Sequence, residues 1–263
     1  MTDHSHHTGA PRDTETDAEL EPGTDAEAEA EAGAEAEAGI EAGADTGADA
    51  GLRDRWHDTL LAARAGAGGP DPLPYAENLL ARWAEPQRRY HTTSHLRAVL
   101  EHVDTLAGHA DDVQAVRLAA WFHDAVYRPD RSENEERSAA LAERALTEAG
   151  VPDAVVAEVA RLVRLTVTHA PAEGDRNGEV LCDADLAVLA GGPQEYGAYA
   201  ARVREEYGFV PEDAFREGRA AVLRQLLGLP RLFRTPYGAA EWEERARHNL
   251  ATELELLTSS APG

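Results

Sequence analysis

The stretch AVRLAAWFHDAVY, residues 115–127, indicates the fold class and contains the most unusual pair of residues in the chain. Its apolar residues are dense enough for a buried helix, and Pro129 follows as a stop signal. His123 and Asp124 stand side by side among these apolar residues. A neutral imidazole and a carboxylate are costly to bury unless partners satisfy them. The stretch therefore predicts a core helix that carries a polar site.

Helical periodicity continues through nearly all of the chain from residue 52, whereas alternating, strand-like runs are almost absent. Gly and Pro residues fall where the periodic segments end. We therefore expect an all-α fold, with one helical domain over residues 51–258. The expected helices lie at about 52–61, 75–83, 92–106, 113–127, 132–149, 152–169, 183–190, 193–207, 211–228 and 238–257.

Residues 1–50 differ in composition from the rest of the chain. They contain fifteen Asp or Glu residues, and Arg12 is their only basic residue. The repetitive part of the segment has a single large aliphatic side chain, that of Ile40. Such a segment buries too little apolar surface to offset the entropy lost on ordering. We expect residues 1–50 to form a disordered acidic tail.

Charge and composition exclude several functional classes. The formal net charge is −24, and the remainder of the chain is still acidic once the segment 1–50 is set aside. A nucleic-acid polymer is therefore not an expected partner, because its binding needs a basic face. No apolar run is long enough to span a bilayer, and no signal-peptide pattern is present. With one cysteine, Cys182, we expect a cytoplasmic protein without membrane contact, of open oligomeric state.

His91 and His95 are candidate ligands upstream of the His-Asp pair. They are four residues apart, so on a helix their imidazoles share a face. Two such imidazoles can chelate one metal ion, or one can ligate while the other meets a substrate. The alternative is a helix start with Thr92 or Thr93 as N-cap, at which both histidines are merely solvated.

His123 and Asp124 would point about 100° apart on a helix, so both can reach one ion only if it lies at the helix edge. The alternative is a buried His123 bonded to a carbonyl, with Asp124 on the polar flank. Downstream, His169 can cap a helix C-terminus, and two carboxylates at 183 and 185 can oppose a helix dipole. Only the joint occurrence of these residues favours a metal site.

The order His, His-Asp, Asp on a helical scaffold resembles the HD-domain superfamily of metal-dependent phosphohydrolases. The resemblance covers residues from about 71 to 254 and is closest to a bacterial subgroup of predicted phosphohydrolases. It implies a single HD-type helical domain in which residues 1–50 take no part. The motifs that carry it are Glu85-Pro86, Arg89-Tyr90-His91, His95, Phe122-His123-Asp124, Val126-Tyr127, Asn134-Glu135, Ser138-Ala139, Asp183-Ala184-Asp185-Leu186, Glu206-Tyr207, Gly218-Arg219 and the segment from Glu244 to Leu250.

The resemblance implies His95, His123, Asp124 and one aspartate of the pair Asp183 and Asp185 as metal ligands. His95 is favoured over His91 because the sequence from His95 to Leu100 resembles the first ligand helix of the superfamily. The choice between the two aspartates stays open. The other implied contacts, to a second metal or to the substrate phosphate, come from His91, His169, Arg89, Asn134 and Glu135.

The implied activity is hydrolysis of a phosphate ester, in a nucleotide or another small phosphorylated metabolite, by a metal-activated water. A mixed His and carboxylate set suits Mn, Fe, Ni, Co or Zn better than Ca or Mg, although the metal varies among members of the superfamily. Asp124, His91 and Glu135 are the expected catalytic groups, although a capping box with Ser132 also explains Glu135. Two alternatives are a non-catalytic metal or nucleotide sensor and, less favoured, a di-iron oxygenase.

Overall fold

The computed structural model describes residues 49–259, and every regular element among them is a helix. The expected all-α fold is therefore confirmed. The expected acidic tail lies outside the described residues, apart from residues 49 and 50, which begin the first helix. The α-helices are α1 (49–63), α2 (Leu73–Trp83), α3 (Thr93–Leu106), α4 (Val113–Phe122), α5 (Asn134–Glu148), α6 (Asp153–Leu165), α7 (Arg176–Leu186), α8 (Pro193–Glu206), α9 (Glu212–Gly228), α10 (Pro236–Glu241) and α11 (Glu243–Ser259). Short 3₁₀ helices follow α3 at Ala107–His109 and α7 at Ala187–Ala190.

Two hydrophobic clusters form the interior of the described residues. The first is built from α1 to α7 and contains the fully buried rings of Trp56, Trp83, Trp121 and Phe122. The second joins α8, α9, α11 and the segment before α10. Trp242 packs against both clusters. Within the first cluster, α3, α4 and α7 pack against one another in pairs. His95 and Asp185 lie on α3 and α7, and His123 follows the end of α4.

Helix α4 ends at Phe122, five residues before the end that the sequence predicts. The cause is tertiary, because the chain beyond the helix is bonded to a side chain of α5. Val126 N–H donates to Ser138 Oγ at 3.0 Å, and the Ser138 hydroxyl donates to the Val126 carbonyl at 3.3 Å. His123 and Asp124 therefore lie in a turn after the helix rather than on its surface.

Helix α7 begins at Arg176, seven residues before the predicted start. Asp175 is its N-cap and accepts the Gly178 N–H at 3.0 Å. Asp183 and Asp185 consequently lie near the C-terminal end of a helix, where carboxylates do not oppose the dipole favourably. The expectation that these two residues open a helix is wrong.

The remaining helices match their predicted ranges to within a few residues, with one exception. The predicted helix 238–257 is interrupted at Trp242, between α10 and α11. Among the described helices, none combines the length and the apolar character needed to cross a membrane.

Candidate metal centre

Three side chains from different helices converge on one point. His95 lies in the first turn of α3, His123 directly follows α4, and Asp185 lies in the last turn of α7. The Nε2 atoms of His95 and His123 are 3.3 Å apart. Asp185 Oδ1 lies 3.1 Å from His95 Nε2 and 3.6 Å from His123 Nε2. Both histidines are buried, and together the three residues form a group that could hold one ion.

The spacing of these atoms fits the shell of a small divalent cation. Metal–ligand distances of ~2.1 Å place neighbouring ligand atoms ~3.0 Å apart at right angles and ~3.4 Å apart in a tetrahedron. The three distances among His95, His123 and Asp185 lie between 3.1 and 3.6 Å. A cation could therefore bind there after small side-chain adjustments.

Asp124 lies at the edge of this group. Its Oδ2 atom is 3.3 Å from His123 Nε2 and 3.8 Å from His91 Nε2. The side chain is 13 % exposed, so it is open to solvent on one side. Since α4 has ended at Phe122, two consecutive residues can present their side chains to the same point, which a continuous helix would make difficult.

The ring of His123 is fixed by contacts on two sides. Its Nδ1–H donates to the Ala120 carbonyl at 2.8 Å, which leaves the Nε2 lone pair free for a metal ion. The Trp83 ring packs beside it, with 5.4 Å between ring centroids. Trp83 is itself held by an Nε1–H bond of 3.1 Å to the Trp121 carbonyl. The sequence-based alternative of a carbonyl-bonded His123 is thus compatible with a ligand role.

His169 contacts the second oxygen of Asp185. Its Nε2 atom lies 2.7 Å from Asp185 Oδ2, while Asp185 Oδ1 faces His95 and His123. The backbone of His169 has a φ of 49°, a left-handed conformation uncommon for a residue with a Cβ. Its N–H donates to the Leu165 carbonyl at 3.0 Å, so this conformation ends the turn after α6, as the sequence-based capping alternative expects. His169 can orient the carboxylate or bind a second ion with it.

His91 is held by the buried carboxylate of Glu206, a residue that the family motifs include but to which the sequence assigned no role. Glu206 Oε1 accepts the His91 Nδ1–H at 2.5 Å and the Tyr127 hydroxyl at 2.8 Å. Its Oε2 atom accepts the backbone N–H groups of Arg89, Tyr90 and His91 at 2.8 to 3.2 Å. Burial opposes ionisation of Glu206, but these donors outweigh it and lower its pKa to about 2. His91 therefore presents Nε2 to the centre.

The buried guanidinium of Arg88 joins the two segments that carry His91 and Asp124. It donates to the His91 carbonyl at 3.0 Å and to the Ala125 carbonyl at 3.5 Å. It also lies over the Trp83 ring, 5.3 Å from the ring centroid. Arg88 thus stabilises the wall of the centre, whereas the sequence pointed to its neighbour Arg89.

The electrostatics of the centre favour a bound cation. Burial lowers the pKa of His95, and Asp185 offsets only part of this effect. Burial also opposes charge on Asp124 and Asp185, but the imidazoles, above all His123, lower the pKa of both carboxyls. The two carboxylates in turn raise the pKa of His123 well above its ordinary value, despite its burial. The negative charge of the two carboxylates is therefore available to a cation, whose binding would release any proton held by the imidazoles.

Asp183 is not brought into this group, although the sequence left it as a possible ligand. It is fully buried and accepts the N–H groups of Arg234 and Thr235, each at 2.8 Å, and the Thr235 hydroxyl at 2.7 Å. Residues two apart on a helix point about 200° away from each other, so the two aspartates face different partners. Asp185 faces the histidines, and Asp183 secures the segment before α10.

Arg89 and Asn134 have structural contacts in place of the expected substrate contacts. The Arg89 side chain is exposed and donates to carbonyls of its own turn, at 2.7 and 2.9 Å. The Asn134 amide accepts the Arg128 N–H at 3.1 Å and donates to the Arg128 carbonyl at 2.8 Å. Asn134 therefore closes the loop between α4 and α5.

The side chain of Glu135 is half-buried and makes no hydrogen bond or ion pair with another residue in 49–259. Glu133, rather than Ser132, is the N-cap of α5, and no side chain bonds to the first turn. The capping box of Ser132 and Glu135 is therefore wrong, because α5 begins one residue later than such a box requires. The catalytic role expected for Glu135 stays a prediction.

A recess of 320 Å³ opens beside His95 and Asp185, and we call it the polar recess. Its wall includes Ser94, Glu195 and Arg202. Arg202 is exposed and forms no ion pair with any residue in 49–259. Its guanidinium is therefore available to an anionic group that enters the polar recess.

Comparisons of the chain with protein-family models, with curated proteins and with solved structures find no match. The resemblance to the HD-domain superfamily thus stays a prediction from sequence motifs. The residues of the centre and their geometry are therefore the basis on which a function can be assigned.

Proposed function

We propose that the protein is a metal-dependent hydrolase that cleaves the phosphate ester of a nucleotide or another small phosphorylated metabolite. The observation that carries this proposal is the convergence of His95, His123 and Asp185 with Asp124 beside them. Such a set suits Mn, Fe, Ni, Co or Zn, and Mg is a further candidate. The cytoplasmic location expected from the sequence belongs to the same proposal.

A divalent cation in this centre would lower the pKa of a coordinated water and polarise a phosphoryl oxygen. Asp124 is open to solvent at the edge of the group, so its carboxylate can orient the attacking water and accept its proton. Asp185 is held from behind by His169, which keeps its Oδ1 atom towards the two ligand histidines. Arg202 in the polar recess can neutralise the charge of the phosphate.

His91 is placed to protonate the leaving oxygen. Burial lowers the pKa of His91, but Asp124 and Glu206 outweigh this effect and raise it above its ordinary value. When the imidazole is protonated, its Nδ1–H is bonded to Glu206 and its second proton is on Nε2. The remaining Nε2–H can be donated to an alkoxide as the ester bond breaks.

Metal removal tests the proposal directly. We expect protein purified without chelator to contain bound transition metal and to hydrolyse at least one compound in a panel of phosphomonoesters, phosphodiesters and nucleotides. Chelation should abolish this turnover, and addition of one metal should restore it, because water activation needs the cation. Metal content is measured by mass spectrometry and turnover by phosphate release.

Each alternative gives a different result in the same experiment. Tight metal or nucleotide binding without turnover of any ester would favour a sensor and contradict the hydrolase. A mixed-valent iron signal with oxygen-dependent substrate oxidation would identify an oxygenase.

The substitution Arg202→Ala is expected to raise KM for the ester about tenfold, with a smaller change in kcat, because the guanidinium binds the anionic substrate before and during the reaction. Arg89→Ala is the matched control, since its exposed side chain contacts only its own turn. Steady-state kinetics of both variants measure the effect. An equal change of KM in both variants would contradict the assignment of Arg202 to the substrate site.

A further inference from the structure

A second recess lies between α8 and α9, with a volume of 410 Å³, and we call it the aromatic recess. Tyr199, Tyr207 and Phe215 line it with rings, and valine side chains complete much of the wall. The remaining space is open at Gly218, where an added Cβ would meet no atom within 4 Å. The recess is therefore suited to a flat apolar group, which aromatic walls bind by offset or edge contacts.

The guanidinium that lines this recess, that of Arg219, is already neutralised. Arg219 donates to both oxygens of Glu253, at 2.8 and 2.9 Å, and to the Tyr199 hydroxyl at 3.2 Å. Its guanidinium also lies over the Tyr199 ring, 5.2 Å from the ring centroid. A sugar or polyol in this recess would lose hydrogen bonds to water without gaining an unpaired charged partner. The lining thus favours an aromatic ring over a polar group.

The aromatic recess and the candidate metal centre share His91 as a neighbour. His91 lines the recess, and its Nε2 atom is 3.8 Å from Asp124 Oδ2. Tyr90 and Tyr199, whose ring centroids are 4.8 Å apart, line both this recess and the polar recess. The pair of tyrosines therefore borders both the polar recess beside His95 and the aromatic recess beside His91.

We propose that the aromatic recess binds the alcohol part of the substrate, and that this alcohol carries an aromatic ring. This inference rests on the proposed phosphohydrolase activity. In the reaction, the oxygen of water bonds to phosphorus, the ester P–O bond breaks, and the leaving oxygen takes a proton from His91. Asp124 accepts the proton lost by water, so that an aryl phosphate and water give a phenol and inorganic phosphate. The phosphate end then faces Arg202, and the ring faces Tyr199.

The test fills the recess and compares two esters. The substitution Gly218→Leu would fill the open space in the recess, whereas Gly197 on α8 is equally unobstructed but lines neither recess. We expect Gly218→Leu to lower the ratio of kcat/KM for naphthyl phosphate to that for glycerol phosphate by about tenfold. Gly197→Leu should leave this ratio unchanged. Both substitutions replace glycine inside a helix, so their effects on helix propensity are matched.

Binding of naphthyl phosphate, followed by its fluorescence, separates this inference from the hydrolase proposal. Weaker binding of naphthyl phosphate to Gly218→Leu than to Gly197→Leu supports the proposed role of the recess, even if neither ester is hydrolysed. Absence of hydrolysis would refute only the hydrolase proposal. Equal binding and an equal kcat/KM ratio in the two variants would overturn the inference. A second result would also overturn it: Gly218→Leu alone changes the sedimentation coefficient and still binds naphthyl phosphate. The recess would then be covered by a second copy of the chain.

Discussion

Replacement of Asp185 by Asn is expected to abolish stoichiometric metal binding and to lower turnover about a hundredfold or more. The amide has the shape of the carboxylate but no negative charge. Asp185 Oδ1 lies within 3.1 Å of His95 Nε2 and 3.6 Å of His123 Nε2, and its Oδ2 contacts His169. One substitution therefore removes the charge that these three imidazoles share.

Metal content per folded molecule is the decisive measurement for Asp185→Asn, and circular dichroism establishes that the variant folds. The matched control is Asp213→Asn, a change of the same type at an exposed position of α9. A variant that folds and retains a full equivalent of metal would contradict the assignment of Asp185. Retained turnover after metal loss would contradict the hydrolytic mechanism instead.

Replacement of Asp183 by Ala is expected to lower the free energy of unfolding by about 3 kcal/mol, because several buried donors lose their acceptor. These donors are the N–H groups of Arg234 and Thr235 and the Thr235 hydroxyl. Asp183 is 0 % exposed, so solvent does not reach these donors to replace the carboxylate. Asp183→Ala should therefore lower the stability of the fold and leave the metal ligands unchanged.

Urea unfolding followed by circular dichroism measures the change for Asp183→Ala, with Asp213→Ala as control. The exposed control should change the free energy of unfolding by less than about 0.5 kcal/mol. Metal content per folded molecule should stay at the wild-type level in Asp183→Ala. Metal loss at unchanged stability would mean that the roles of the two aspartates are reversed.

The helical fold could be predicted because its signal is local. Apolar periodicity and Gly or Pro stops recur along the whole described chain, so most helix bounds follow from nearby residues. The end of α4 could not be predicted, because it depends on Ser138, twelve residues further on, bonding to Val126. The start of α7 was missed because Asp175, which caps it, follows a turn that the sequence does not distinguish from a longer loop.

The ligand types in the centre could be predicted, but their geometry could not. His95, His123 and Asp185 come from three helices, and no spacing along the chain encodes how those helices pack. The choice between Asp183 and Asp185 needs the direction of each side chain on α7. Glu206 lies 115 residues from His91, so a local motif cannot reveal that it orients this ring.

The last two turns of α7 link the stability of the fold to metal binding. Asp183 secures the segment before α10, which belongs to the second hydrophobic cluster, and Asp185 faces the candidate metal centre two residues later. Asp183 and Asp185 lie two residues apart on the same helix. A movement of the segment before α10 or of the metal centre therefore also moves the other. A cation present at a hundred times its Kd would raise the free energy of unfolding by about 3 kcal/mol. The C-terminal half of the protein should consequently exchange its amide hydrogens more slowly when metal is bound.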